Sequence, residues 1–105
     1  MPSKTSETWK WKNWKISWSL SKLSISENDI NILLIHGFGA SKEHWRHNQD
    51  FLSKNYNCYS IDLLGFGQSS QPNALLNYES YRDNSIKYSF ELWGNQIAAF
   101  CSEVI

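Results

Sequence analysis

Residues 32–41 read Ile-Leu-Leu-Ile-His-Gly-Phe-Gly-Ala-Ser, and this stretch decides which fold the chain can adopt. Four consecutive branched aliphatic residues are typical of a short strand that is covered on both faces of a sheet. Gly37 and Gly39 let the backbone turn sharply and present bare amide donors. We therefore predict a buried strand that delivers a reactive loop at its carboxyl end.

The chain has 105 residues, of which 41% are hydrophobic and 15% are aromatic. This is enough to form the core of one small domain but too little for two domains. Ten basic and ten acidic side chains give a formal net charge of zero. No global field therefore favours nucleic acid, an anionic membrane or an acidic substrate. We expect no nucleic-acid partner.

The N-terminus lacks the charged, apolar and small-residue order of a signal peptide, and the two cysteines, Cys58 and Cys101, lack a metal-type spacing. We therefore expect a cytoplasmic location and two buried, reduced thiols. A disulfide between them would require a geometry that the sequence does not show. The longest apolar runs fall far short of the roughly 20 residues that span a bilayer, so no membrane span is expected.

Two antiparallel strands are predicted near the N-terminus, after residues 1–8, which are polar and are expected to be loose. Trp9 and Trp11 alternate with lysines in the period-two pattern of a strand. The apolar side then moves to even-numbered positions, at Trp14, Ile16, Trp18 and Leu20. This change of phase predicts a turn at Lys12-Asn13. Tryptophans among lysines also occur on surfaces that bind single-stranded nucleic acid. In a neutral chain, however, a strand pair with one solvent-exposed face is the favoured interpretation.

A helix and a second strand are predicted after the first glycine turn. Residues 41–54 have helical spacing, with Ser41 as a cap and with Trp45, Leu52 and Phe51 facing inward. Residues 58–64 then form a second short apolar strand. Strand, helix and strand at this spacing predict a right-handed βαβ crossover with two parallel strands.

The second predicted strand also ends in a glycine turn, since residues 62–69 read Asp-Leu-Leu-Gly-Phe-Gly-Gln-Ser. Both parallel strands therefore deliver loops at the same edge, where ligands bind in open α/β sheets. Residues 73–87 lack a clear period and are predicted to be a surface excursion. From Ser89 onward we predict a capped amphipathic helix whose core-facing stripe is Trp93, Ile97, Phe100 and Val104.

These residues resemble a known family. Residues 33–41, followed by His44-Trp45-Arg46, are similar to the strand and oxyanion loop of α/β-hydrolases, and residues 61–69 resemble the Asp-x-x-Gly-x-Gly-x-Ser turn of the same family. Trp9-x-Trp11 and residues 90–93 are similar to its cyanobacterial and plastid branch, which includes pheophytinase-like ester hydrolases. The resemblance implies an α/β fold in which residues 9–105 form the first half of an α/β-hydrolase domain with an incomplete sheet.

The resemblance also implies roles for individual residues. The backbone N–H of Phe38 would supply one donor of the oxyanion hole. The residues that would shape the two loops are His36, Gly37, Gly39, Asp62, Gly65 and Gly67. His36 is also a conceivable general base, but orientation of the turn through hydrogen bonds is the favoured interpretation.

Other functional classes are supported more weakly. Gly37-x-Gly39 after a strand is compatible with dinucleotide binding, but position 42, where a third glycine would stand, is Lys42. Asp62 at a strand end could bind a ribose hydroxyl, although a turn-stabilising role is favoured. His44 and His47 are spaced like two metal ligands without a third. We expect no cofactor and no metal.

No Gly-x-Ser-x-Gly elbow occurs in the chain, so the nucleophile, the acid and the triad histidine of the family are missing. Ser41 and Ser69 lie near glycines but follow the wrong turns, and both are interpreted as capping residues. The implied reaction is hydrolysis through a covalent enzyme intermediate, with a Ser or Asp nucleophile that these residues do not provide. The chain alone is therefore predicted to be inactive.

Two classes of function remain open at this stage. The first is a fragment, or one half of a split hydrolase, which would act on a small ester-like substrate only when completed by a C-terminal half. The second is a non-catalytic binding or interaction module. Because the family places a further strand beside residues 32–35, the open edge of the sheet also predicts self-association or pairing with another chain.

Overall fold

The computed structural model describes residues 3–23, 30–74 and 86–105, and within them the order of elements is that of a mixed α/β fold. The strands are β1 (Ser3–Trp11), β2 (Trp14–Lys22), β3 (Asn31–Ile35) and β4 (Asn57–Ile61). A 3₁₀ turn (Lys42–Trp45) leads directly into helix α1 (Arg46–Leu52), and helix α2 (Phe90–Glu103) comes last. Most of the predicted excursion at residues 73–87 lies outside the described residues.

The strands form one sheet in the order β1-β2-β4-β3. β2 is antiparallel to both of its neighbours, whereas β3 and β4 are parallel. The predicted architecture is therefore confirmed: an antiparallel pair, a parallel βαβ unit and a final amphipathic helix. β3 lies at the edge of this sheet, which puts the apolar strand of the opening motif where a further strand could pair with it.

The N-terminal hairpin is longer than the sequence predicts. Its turn lies at Lys12-Asn13 as predicted, with Lys12 at a φ of 57°. However, β1 begins at Ser3, which pairs with Lys22, so the expectation that residues 1–8 are loose is wrong from Ser3 onward. Side chains 3–8 are exposed, so they carry no apolar signal, and the ladder of backbone hydrogen bonds with β2 holds this part of the strand.

The predicted helix at residues 41–54 is divided into a 3₁₀ turn and α1. Ser41 caps it as predicted, because its hydroxyl accepts a hydrogen bond from the Glu43 N–H at 3.3 Å. Phe51 is 67% exposed, which contradicts the prediction that it faces inward. Gln49 takes the inward position instead, three residues before Leu52 on the same face, and its amide donates to the Cys58 carbonyl at 2.9 Å.

The main core lies on the face of the sheet that α2 covers. Its centre is Phe100, which is fully buried and meets the rings of Trp9, Trp18 and Tyr59 at centroid distances of 5.4, 5.5 and 6.2 Å. Ser89 caps α2 as predicted, since its hydroxyl accepts from the Leu92 N–H at 3.1 Å. This packing anchors α2 beside the carboxyl ends of the parallel strands.

The two cysteines differ in their surroundings. Cys58 on β4 is buried, as predicted, whereas Cys101 is exposed because it follows the core residue Phe100 by one position, about 100° further around the helix. Both are free thiols. Among the described residues, no helix combines the length and apolar character needed to cross a bilayer.

Candidate functional site

The turn after β3 contains a backbone amide, that of Phe38, with no hydrogen-bond acceptor among residues 3–23, 30–74 and 86–105. The Ala40 N–H donates to the Gly37 carbonyl at 3.1 Å, and Gly39 has a φ of +80°, as the third position of a type II turn requires. The Phe38 N–H donates no hydrogen bond within the described part of the chain. A free backbone donor at the carboxyl end of a parallel strand is suited to binding an anionic oxygen.

His36 joins this turn to the turn that follows β4. It is only 3% exposed, and its Nδ1 lies 2.7 Å from the Gly37 carbonyl oxygen while its Nε2 accepts from the Leu63 N–H at 3.0 Å. A carbonyl oxygen only accepts, so the proton is on Nδ1 and the ring is neutral. Both ring nitrogens are occupied, which leaves His36 as a connector of turns and not as a free general base.

Asp62, at the end of β4, is fully buried and binds the start of the 3₁₀ turn. Its Oδ1 accepts from the Lys42 N–H at 2.6 Å, and its Oδ2 lies 3.1 Å from the Lys42 ammonium and 3.0 Å from the Gln68 N–H. The carboxylate therefore has three donors. It ties the two loops together, and its complete burial keeps it from the surface, where a ribose hydroxyl would bind.

Lys42 has a role that the local sequence does not indicate, since position 42 stands out in the sequence only because it lacks the third glycine of a dinucleotide-binding motif. The side chain is 4% exposed and also donates to the Gln68 side-chain oxygen at 3.2 Å. Lysine is rarely this buried without a partner. The partner is 20 positions away along the chain, so no local pattern could indicate the pair.

Gly67 allows the second turn to close over Asp62. Its φ is +56°, and a Cβ atom at this position would overlap the Asp62 carboxylate. Gly65, at a φ of +95°, would place a Cβ 2.7 Å from the Tyr88 ring. Both positions therefore exclude a side chain on steric grounds as well as by backbone conformation.

Ser69 and Gln96 hold the second turn from two sides. The buried Ser69 hydroxyl accepts from the Ser17 N–H at 2.9 Å and donates to the Asp62 carbonyl at 2.8 Å. It does not cap a helix, so that expectation is wrong for Ser69, and its role is to join the turn to β2. From α2, the Gln96 side chain accepts from the Leu64 N–H at 2.9 Å and donates to the Asp62 carbonyl at 3.2 Å.

An open apolar depression of about 750 Å³ lies between the two turns and α2. The residues that line it include His36, Phe38, Leu63, Phe66, Trp93 and Ile97. The Phe38 side chain is 88% exposed and makes an edge contact with Phe66 at a centroid distance of 5.3 Å. Phe38, whose N–H donates no hydrogen bond to any described residue, is thus among the residues that line an apolar recess, where a hydrogen bond is stronger than in water.

His44 and His47, the predicted pair at metal-ligand spacing, are both exposed. The His44 ring packs edge-on against Trp45 at a centroid distance of 4.8 Å. In residues 3–23, 30–74 and 86–105, no three His, Cys, Asp or Glu side chains lie close enough together to hold a metal ion. The geometry therefore offers these histidines no third ligand.

Comparisons with known proteins identify the fold. Residues 30–97 match the family described as the alpha/beta hydrolase fold. A solved structure, the crystal structure of a membrane phospholipase A described as a bacterial virulence factor, superposes with a TM-score of 0.74 at 28% identity, over 96% of this chain and 28% of that one. A haloalkane dehalogenase variant from Bradyrhizobium elkanii superposes with a TM-score of 0.75 at 20% identity, over 96% of this chain and 29% of that one.

Curated relatives extend the comparison to sequence. The chain is 37% identical over 76 residues to 1-acylglycerol-3-phosphate O-acyltransferase ABHD5 of Sus scrofa, covering 72% of this chain and 22% of the relative. It is 32% identical over 76 residues to the (lyso)-N-acylphosphatidylethanolamine lipase of Mus musculus, with the same two coverages. The chain thus spans 22% of the length of each of these relatives. From the family match over residues 30–97 and the two glycine turns at the end of β3 and β4, we conclude that the chain belongs to the α/β-hydrolase family.

Proposed function

We propose that this chain supplies the oxyanion side of an α/β-hydrolase active site that cleaves acyl esters. The observation that carries the proposal is that Phe38 lines the apolar depression while its N–H donates no hydrogen bond to any residue that the structure describes. An oxyanion hole requires backbone donors aimed at the place where negative charge develops. Gly37, Gly39 and His36 hold the turn that presents this donor, and Asp62, Gly65 and Gly67 shape the turn beside it.

The substrate class in this proposal is an ester with an apolar acyl group. Its support is the apolar lining of the depression and the names of the relatives, which include a lipase of N-acylphosphatidylethanolamine and a phospholipase A. The predicted relation to the pheophytinase-like branch and the predicted cytoplasmic location stay predictions. The nucleophile is not among these residues, so the chain by itself is proposed to be inactive.

A single-residue change can test the oxyanion role in a chimera in which residues 30–97 replace the matched segment of the murine lipase. Phe38→Pro removes the N–H together with the phenyl ring, and proline suits the second position of a type II turn, so the turn is expected to keep its shape. Phe38→Ala keeps the N–H and is the matched control. Loss of one oxyanion donor costs about 10²–10³-fold in kcat.

The expected result is therefore a hundredfold or larger loss of ester hydrolysis for Phe38→Pro beside a small effect of Phe38→Ala. Equal activities of the two variants would refute the oxyanion role. The isolated chain should show no turnover of activated esters that a serine-directed phosphonate inhibits. Clear inhibitor-sensitive turnover would show that a nucleophile lies within these residues.

A second candidate function, an interaction module, is favoured by the edge position of β3. Large apolar side chains are exposed near this edge: Ile35 is 39%, Phe38 88% and Phe90 91% exposed. An edge strand that no other described strand pairs with, beside an apolar recess, favours pairing with another chain or a second copy. Light scattering after size exclusion should then show a dimer or larger species. A monodisperse, stable monomer would count against this candidate.

A further inference from the structure

The tip of the β1–β2 hairpin concentrates positive charge in a chain whose net charge is zero. Lys10 and Lys15 are directly opposite each other in the ladder, and Lys12 lies in the turn between the strands. All three are exposed, and none forms an ion pair with an acidic side chain in the described part of the chain. Like charges at opposite positions destabilise a strand pair, so this arrangement is unfavourable until an anion approaches it.

This hairpin tip, defined by Lys10, Lys12 and Lys15, lies at the same end of the sheet as the turn after β3, which contains Phe38. β2 is antiparallel to β4, and Trp18 pairs with Ile61, the last residue of β4. The residues of β2 before Trp18 therefore extend past the carboxyl end of β4. The charged tip and the candidate oxyanion donor consequently share one end of the molecule.

A shallow hollow lies beside the lysines of the tip. It has a volume of about 250 Å³ and is lined by Thr8, Trp9, Lys10, Asn13, Trp14 and Lys15. Its lining residues include two lysines, a threonine and an asparagine, whose side chains all carry hydrogen-bond donors. This donor set suits a phosphate group, which accepts hydrogen bonds and carries negative charge.

We propose that the hairpin tip docks the protein onto an anionic phospholipid surface. The end of the sheet that carries Phe38 then faces that surface. Clustered lysines bind anionic headgroups electrostatically, and each lysine near the surface contributes about a fivefold gain in partitioning.

The ring contacts disfavour single-stranded nucleic acid as the occupant. Base stacking requires free aromatic faces. Here Trp11 is only 6% exposed, the Trp9 ring meets Phe100 at 5.4 Å, and Trp14 is tilted against Trp11 at 5.6 Å. The indoles are therefore engaged in the core, and the tip offers charge without a stacking platform.

The test is flotation of the purified chain with vesicles of phosphatidylcholine alone and of phosphatidylcholine mixed with phosphatidylserine. The tip variant is K10Q/K12Q/K15Q. The matched control is K22Q/K54Q/K87Q, which changes the net charge by the same amount at three exposed lysines outside the tip. Urea unfolding checks that both variants fold, and removal of the Lys10–Lys15 repulsion should not lower the stability of the tip variant.

The expected result is binding to the mixed vesicles that weakens as salt screens the charges, with little binding to phosphatidylcholine alone. The tip variant should bind on the order of a hundredfold more weakly, while the control stays within a fewfold of the original chain. Absence of binding to mixed vesicles, or an equal loss in both variants, would overturn the proposal. Tighter binding to a single-stranded oligonucleotide than to the mixed vesicles would also overturn it.

Discussion

The Lys42 ammonium lies 3.1 Å from the Asp62 carboxylate, and both side chains are almost completely buried, at 4% and 1% exposure. The pair connects the residue that opens the 3₁₀ turn with the residue that follows β4. The same carboxylate accepts two backbone N–H groups. The two glycine turns are therefore positioned against each other by one buried anion.

Lys42→Met should lower the free energy of unfolding by about 3–5 kcal/mol, because the Asp62 charge stays buried after its cation is removed. Urea unfolding followed by circular dichroism measures the change. The additional substitution Asp62→Asn should restore part of the loss, since it removes the unpaired charge. Lys54→Met at an exposed lysine is the control, and a similar loss there would contradict the explanation.

His36→Phe should destabilise the protein by about 1–3 kcal/mol, because the Leu63 N–H then loses its acceptor in a buried site. His44→Phe provides the comparison, since His44 is exposed and only packs against Trp45. The urea unfolding midpoints of the two variants measure the difference in stability. If both substitutions have the same small effect, the link between the two turns is unimportant for stability.

Gly67→Ala and Gly94→Ala should have opposite effects. At Gly67 a methyl group would overlap the Asp62 carboxylate at a positive φ, so a loss of roughly 2–3 kcal/mol is expected. Gly94 lies inside α2 with open space around it, so alanine there should gain about 1 kcal/mol through helix propensity. Thermal unfolding of both variants is the measurement. Equal shifts of the melting temperature would show that Gly67 is not sterically required.

The two thiols should differ in reactivity. Cys101 is exposed and Cys58 is buried, so a thiol reagent should label one cysteine per native chain and two in denaturant. Cys101→Ser should abolish native labelling, whereas Cys58→Ala should leave it unchanged. Rapid native labelling of both cysteines would mean that β4 opens readily.

Stability should fall at high pH because burial raises the pKa of the Cys58 thiol from 9.0 to about 11. The folded thiol holds its proton while the unfolded thiol loses it above pH 9.0, so the unfolded state binds fewer protons between these values. The stabilisation is therefore complete below pH 9.0 and is lost as the pH rises toward 11.

Two pKa units correspond to about 3 kcal/mol at most. Urea midpoints compared below pH 9.0 and near pH 11 should show a smaller decrease for Cys58→Ala than for the original chain. Burial also raises the pKa of Tyr88, and its contribution has the same sign and remains in both proteins. Identical pH dependences would exclude the Cys58 thiol as a cause.

The sequence predicts correctly those turns and helix caps that depend on residues close to each other in the chain. The turn at Lys12-Asn13 and the caps at Ser41 and Ser89 depend on neighbouring residues, so the sequence pattern was sufficient. The errors occurred where long-range contacts decide the outcome. The strand residues from Ser3 to Thr8 have no apolar pattern and depend on pairing with β2, and Phe51 lies on the outer face because Gln49 binds the Cys58 carbonyl.

Periodicity, capping and glycine content act within a few residues of each other, so they are sufficient to predict the fold class, the parallel βαβ unit and the two glycine turns. Only the tertiary structure decided that Lys42 is the cation of Asp62 and that His36 binds the Leu63 amide, since these partners are 20 and 27 positions apart. Only the sheet order placed the lysines of the hairpin tip at the same end as Phe38. Burial and charge pairing depend on the packed chain, and a local pattern does not contain them.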